Sequence, residues 1–202
     1  ILCDTSDLLW VCSNVGLFQY NTRNNKLTQI ITSPAQPNDN IYTSLKDKEG
    51  GIWIGTFFQG AYYLSPKARQ IECYTAENTA GGLKGSAISS FCEDKDGKIY
   101  IGSENGGLAK YDPHSGRIQQ IELPIKTDNI LALKIYGGYL WVGSYSFTDP
   151  LIRLDLKTHK AEIFPEFSKC TYHIEEYQKG VLMLVNRSGI SFIDLTTEEP
   201  EE

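Results

Sequence analysis

The sequence predicts an all-β chain: a β-propeller segment of about five four-stranded blades, the first and last incomplete, set within a larger ring. Three observations carry this reading: a repeat of roughly 40 to 50 residues, a glycine-bearing hairpin turn at a fixed place in each repeat, and an apolar run that follows the turn. Composition agrees with it. Of 202 residues, 41% are hydrophobic and 11% aromatic, with 12 Tyr and 18 Gly against one Met. That balance suits strands and tight turns better than helical cores, and the chain is long enough to bury a core.

The repeat is anchored on Trp10, Trp53, Tyr100, Trp141 and Met183, spaced 43, 47, 41 and 42 residues apart. Ahead of the middle anchors run the alternating stretches 41–51, 88–98 and 130–139, each closing in a turn. Glu49-Gly50-Gly51, Asp96-Gly97 and Gly137-Gly138 supply the positive φ angles of tight hairpins, so each unit opens strand, hairpin, strand. The second strands, "GIWIG", "YLWVG" and "VLMLV", are apolar on both faces, as in a sheet sandwiched between two others. Gly55, Gly102 and Gly143 follow the anchor by two residues and admit close approach of a neighbour; Cys12 takes this place in the first copy. A loop, a third strand such as "GGLAKYDP", a turn at 113–116 and a fourth strand such as "RIQQIEL" complete the unit.

The blades so drawn cover 1–33, 40–75, 87–123, 129–165 and 171–202. Only "ILCD" precedes the first turn, so most of the first innermost strand is expected to be missing, and the last copy ends at "TTEEPEE" where a fourth strand is due. Either the two ends complement each other in a five-bladed ring or the segment belongs to a larger one, and the second is preferred. A β-sandwich of similar-looking strands competes, but it has no reason to keep a period.

A net charge of −6 with no basic run gives counterion release nothing to act on, so nucleic acid is not an expected partner. Cys3, Cys12, Cys73, Cys92 and Cys170 form no CxxC pair and read as buried apolar thiols on strands. No apolar segment reaches the ~18 residues that span a bilayer. The chain opens on Ile1 without an initiator Met, which reads as a processed chain or an excised piece.

Catalytic signatures are missing from the sequence: no HExxH, GxSxG or P-loop occurs, and "DKDG" at 94–97 is a hairpin lacking the remaining ligands of a calcium loop. His114 and His159 fall in exposed turns between third and fourth strands, and His173 falls on an innermost strand where it faces a channel. No catalytic residue, metal or cofactor is expected. Binding has better material. In a propeller the loops joining strands two and three share a face with the blade-to-blade connections. There stand Phe57, Phe58 and Gln59, then Glu104 and Asn105, then Tyr145 and Phe147, then Asn186 and Arg187. Flat apolar rings beside amides and a guanidinium suit a sugar or a protein surface. Phe57 and Phe58 equally suit a role covering the blade below. The glycine-rich connection 75–87 is expected to be a mobile cover or a plain spacer.

The pattern D-x-x-G-x-[LI]-W-[IV]-G-[TS]-x-x-x-G resembles the two-component regulator propeller repeat of periplasmic sensor regions in bacterial hybrid histidine kinases. Asp47, Gly50, Ile52, Trp53, Ile54, Gly55, Thr56, Gly60 and Ala61 carry it in one copy. Asp94, Gly97, Ile99, Tyr100, Ile101, Gly102, Ser103, Gly107 and Leu108 carry it in the next. Tyr100 and Met183 stand where the repeat has Trp, and Asp149-Pro150 where it has Gly. The resemblance implies a non-catalytic, ligand-sensing module of a membrane-anchored, periplasmic sensor kinase, responding to oligosaccharides, in a ring of about seven blades. Alternatives are a protein-binding propeller scaffold and a propeller enzyme such as a lyase or hydrolase. Open propeller ends add an expectation of self-association.

Overall fold

The computed structural model describes residues 2–5, 7–30, 40–66, 71–167 and 170–196, which form five antiparallel sheets succeeding one another in chain order. The first sheet comprises β1 (Leu2–Thr5), β2 (Leu8–Ser13), β3 (Gly16–Asn21) and β4 (Lys26–Ile30). The second comprises β5 (Ile41–Lys46), β6 (Ile52–Thr56), β7 (Ala61–Leu64) and β8 (Ile71–Tyr74). The third comprises β9 (Ala87–Glu93), β10 (Ile99–Glu104), β11 (Gly107–Asp112) and β12 (Arg117–Ile121). The fourth comprises β13 (Ile130–Tyr136), β14 (Tyr139–Ser144), β15 (Leu151–Asp155) and β16 (Ala161–Ile163). The fifth comprises β17 (Thr171–Gln178), β18 (Val181–Asn186) and β19 (Gly189–Asp194). Strand order within each sheet is sequential, the meander of a propeller blade.

One expectation needs correcting. The first blade does have its innermost strand: the four residues Leu2–Thr5 pair with β2 through Leu2 opposite Trp10 and Cys3 opposite Leu9. Backbone pairing alone was enough to place so short a strand. The fourth strand expected of the last copy falls on 197–202, outside the described residues.

Blades pack face to face because every second strand is apolar on both sides. Ile52, Trp53, Ile54, Ile99, Tyr100, Ile101, Leu140, Trp141 and Val142 are all buried. The glycine after each anchor sets the spacing. A Cβ on Gly55 would lie 2.8 Å from Ile88 Cγ2 of the next inner strand, and one on Gly102 2.8 Å from Ile130 Cγ2. On Gly143 it would lie 2.7 Å from the Thr171 carbonyl oxygen. Inner strands are also tied across blades. Cys12 Sγ–H donates to Ser44 Oγ at 3.2 Å, the Lys48 amide to Glu93 Oε2 at 2.9 Å, and Ser89 Oγ–H to Ile130 O at 2.5 Å. The Ile135 amide donates to Cys92 Sγ at 3.2 Å, the Gly180 amide to Tyr136 Oη at 2.6 Å, and Lys134 pairs with Glu175. Inner strands β5, β9, β13 and β17 touch in succession, while no comparable packing joins the fifth sheet to the first among the described residues. The molecule is an open arc.

The repeat's aspartate has a defined task. Asp47 Oδ1 accepts the Gly51 amide at 2.6 Å, closing the hairpin, while Oδ2 accepts the Trp53 indole N–H at 3.2 Å. The Tyr63 ring lies where any Gly51 side chain would go, with its hydroxyl near the same carboxylate. Asp94 repeats the hairpin closure, accepting the Asp96 and Lys98 amides at 2.9 Å, with the Tyr100 hydroxyl near it. The fourth blade has no such acid six residues before its anchor, and its buried Trp141 Nε1 has no hydrogen-bond partner among the described residues. There the Arg153 guanidinium covers the rings instead, 4.7 Å from Tyr139 and 5.6 Å from Trp141.

Each inner strand from the second blade onward also carries a β-bulge at the same place. Pairing skips from Ile41 to Thr43, from Ile88 to Ser90, from Ile130 to Ala132 and from Thr171 to His173. The unpaired residues are Tyr42, Ser89, Leu131 and Tyr172. A bulge re-aims the side chain it leaves out of the ladder.

Two outcomes test this account. Trp53→Phe should lower stability by about 1–3 kcal/mol more than Trp141→Phe in urea denaturation, because only the first strands a carboxylate without its indole donor. Burial, then the Asp47 carboxylate, pushes the Tyr63 hydroxyl up from 10.0 to about 12, and burial, then Asp94, does the same for Tyr100. Folded values above the unfolded one favour the native state fully below pH 10, and this contribution is lost as pH rises toward 12. Absorbance titration at the tyrosinate band should show late-ionising tyrosines together with a falling urea midpoint above pH 10.

Candidate functional site

The 2–3 loops are held to one end of the blades by a regular set of hydrogen bonds. The residue after strand two donates back to the connection before its own inner strand: the Phe57 amide to Asn40 O at 3.0 Å and the Tyr145 amide to Asn129 O at 2.9 Å. The start of strand three donates to the connection leading to the next blade: the Gly60 amide to Ser86 O at 3.0 Å and the Gly107 amide to Asp128 O at 2.8 Å. A hydroxyl at the end of strand two closes each loop on the residue that begins strand three or precedes it. Ser13, Thr56 and Ser103 donate to Gly16 O, Gly60 O and Gly107 O at 3.0, 2.9 and 3.1 Å, and Ser144 donates to Asp149 O. Loops and connections therefore share one face.

The residues expected to bind are distributed as follows. Phe57 and Phe58 meet edge to face at 4.4 Å between centroids, and Phe58 is 67% exposed. Gln59 is exposed, with its amide donating to Thr56 Oγ1 at 2.9 Å. Glu104 is half-buried, and Asn105, at φ +63°, donates its amide to Asn129 Oδ1 at 2.8 Å. Since Asn129 O also takes the Tyr145 amide, one side chain and its backbone join the loops of blades three and four. Tyr145 and Phe147 are exposed on the fourth blade, and Arg187 on the fifth. Asn186 is buried and committed to its own hairpin: Oδ1 accepts the Ser188 amide and Nδ2 donates to Ser191 Oγ, both at 2.9 Å.

The connection 75–86 differs from the expected mobile cover. Its glycines allow contact rather than motion: Gly82 abuts the Ile118 carbonyl, and Gly85 lies against the backbone of Gly106. Leu83 is buried with Trp53 and Ile88, and its amide donates to Thr79 Oγ1 at 3.0 Å. The connection is a wedge between blades two and three. The thiols of Cys12, Cys92 and Cys170 form no disulfide among the described residues, and burial pushes those of Cys92 and Cys170 up, against reactivity.

Two exposed aromatics escaped the sequence reading. Tyr42 stacks on Phe57 at 5.3 Å, extending the Phe57–Phe58 pair inward, and Tyr172 occupies the same bulge position on the fifth blade. Both line a cavity of about 430 Å³ along the inner strands, as does His173. Counting back from the anchors would have found them: Tyr42, Ser89 and Tyr172 precede theirs by eleven residues, and Leu131 by ten.

The segments 35–58 and 82–105 match the family model described as the two component regulator propeller. These two segments are similar to the two-component regulator propeller repeat. Each match ends just beyond a second strand, so it covers the inner strand, the hairpin and the anchor. Over 125 residues the chain is 26% identical to histidine kinase P4 of Formosa agariphila, covering 57% of this chain and 9% of that protein. It superposes on the extracellular domain of a candidate one component system from B. thetaiotaomicron with a TM-score of 0.78 at 22% identity. The extracellular domain of a candidate hybrid two component system from the same organism gives 0.78 at 20%. Both superpositions cover 95% of this chain, and 25% and 26% of those chains. The chain thus spans about a tenth of the kinase relative and a quarter of the solved chains. Among the described residues no helix is long and apolar enough to cross a membrane.

Proposed function

We propose that this chain is the ligand-sensing part of a periplasmic two-component sensor histidine kinase, non-catalytic in itself and responsive to oligosaccharides. The observation that carries this reading is the aromatic rim: Phe57, Phe58, Tyr145 and Phe147 stand on the loop face of blades whose repeats are similar to those of two-component regulator propellers. Exposed rings beside Gln59, Asn105 and Arg187 offer stacking faces with polar groups to orient a sugar chain. The parent kinase, its membrane anchor and its periplasmic exposure are part of the proposal, supported by the kinase relative and the extracellular domains of the same fold. Signal would pass by rearrangement of the ring against its neighbours. A thermal-shift screen of glycan-derived oligosaccharides tests this. At least one should raise the melting temperature, and Phe58→Ala or Tyr145→Ala should remove the shift; a screen in which no oligosaccharide binds defeats the reading.

A second partner is favoured by the end of the arc. Ile190, Phe192 and Tyr177 are exposed on the outward face of the fifth sheet, and Phe192 meets Tyr177 at 5.1 Å. The apolar surface is thus a sheet face rather than a strand edge. Val185 occupies the place that Gly55, Gly102 and Gly143 hold in earlier blades. We propose that the isolated chain self-associates through this face. Light scattering after size exclusion should give a mass above 22.7 kDa that falls to the monomer value in Phe192→Asp; a wild-type monomer at all concentrations refutes it.

A further inference from the structure

Bulges at identical positions in four consecutive inner strands place four side chains where the ladder would not send them. Tyr42, Ser89, Leu131 and Tyr172 all line the inner cavity, which at about 430 Å³ falls within the range of small-molecule pockets. Two of the four are large rings left in the open, Tyr42 at 56% and Tyr172 at 43% exposure. The residue after each bulge, Thr43, Ser90, Ala132 or His173, lines the same space. Ser90 Oγ is buried against Gly102, facing Ile130 of the next blade, and does not open into the cavity, whereas His173 is exposed to it. Among the described residues no Asp, Glu, Lys or Arg lines the cavity, so its chemistry is hydroxyl, thiol, imidazole, aliphatic and ring.

From these residues we infer a second binding site: the bulge positions form an arc that takes one neutral, polyhydroxylated sugar residue between Tyr42 and Tyr172, with His173 hydrogen-bonding its hydroxyls. The inference rests on the glycan reading above and deepens it. Tyr42 stacks on Phe57 and Phe57 meets Phe58, so a continuous aromatic track leads from the rim to the cavity. A terminal residue of an oligosaccharide would occupy the cavity while the following residues cross the rim. A neutral ligand is specified because a charged one would find no counter-ion there and would lose hydration without compensation.

The test uses the isotopically labelled chain, titrated with methyl glycosides of glucose, galactose, mannose, xylose and arabinose, and with methyl glucuronoside as the charged comparator. At least one neutral glycoside should shift the Ser89, Ser90 and Tyr172 amides. Its affinity should fall about tenfold in Tyr172→Ala and several-fold in His173→Ala, the scale of one lost contact. Phe58→Ala should leave monosaccharide affinity within about twofold while weakening oligosaccharides. Amide shifts confined to 57–59 and 145–147, tighter binding of the glucuronoside, or no response from any glycoside overturns the inference. Oligosaccharide binding that depends on Phe58 but not on Tyr172 or His173 overturns it while leaving the sensing role standing. Loss of all oligosaccharide binding removes both.

Discussion

The arrangement depends on one constraint: a sheet buried on both faces must leave room at a fixed point for the strand that packs against it. Gly55, Gly102 and Gly143 meet that requirement, since a Cβ at any of them would collide with Ile88, Ile130 or Thr171 of the following blade. Close nesting brings successive inner strands within hydrogen-bonding reach, so that Ser89 donates to Ile130 O and the Ile135 amide to Cys92 Sγ. It also forces the second strands to be apolar throughout, because neither face meets water. Cys12, partly buried and bonded to Ser44, is the small departure the first interface accepts.

Burying a Trp in such an interface creates a polar obligation, met or missed by sequence-local means. In the second blade Asp47 serves the hairpin amide and the indole N–H together, which makes turn geometry and core packing one unit. The fourth blade shortens its hairpin to Gly137-Gly138, loses the acid, and leaves Trp141 Nε1 without a partner while Arg153 packs over the rings. The fold tolerates the difference because anchoring is first a matter of volume: Trp53 and Trp141 are both fully buried.

Function is separated from this scaffold by geometry. Positions in the ladder are fixed by their cross-strand partners and by the next blade, whereas the bulged residues have no cross-strand partner and the tips of the 2–3 loops stand outside the ladder. Accordingly the bulge site holds Tyr, Ser, Leu and Tyr in four blades, and the loops hold unrelated residues of unequal number. The two sets are connected, since Tyr42 stacks directly on Phe57. Exposed aromatic rings near a polar-lined cavity are a costly surface to keep in water without a partner.

What the sequence determined by itself was whatever repeats locally: the period, the glycine hairpins, the doubly apolar strands, the small residue after each anchor, and the face carrying the variable loops. These are legible because each depends on a few neighbouring residues and a single periodicity. What only the tertiary structure decided concerns residues whose partners lie in another strand or blade. Strict alternation in "IYTSLK" gives no hint that pairing skips Tyr42, because a bulge is a property of the ladder. Leu83, Gly82 and Gly85 read as a loose spacer until Ile118 and Gly106 come to lie against them. Asn186 looked free until Ser188 and Ser191 engaged its amide. The short β1 became a strand only because Trp10 and Leu9 stand opposite it. In each case the deciding contact is set by strand pairing or by packing between adjacent blades, which the order of residue types does not spell out.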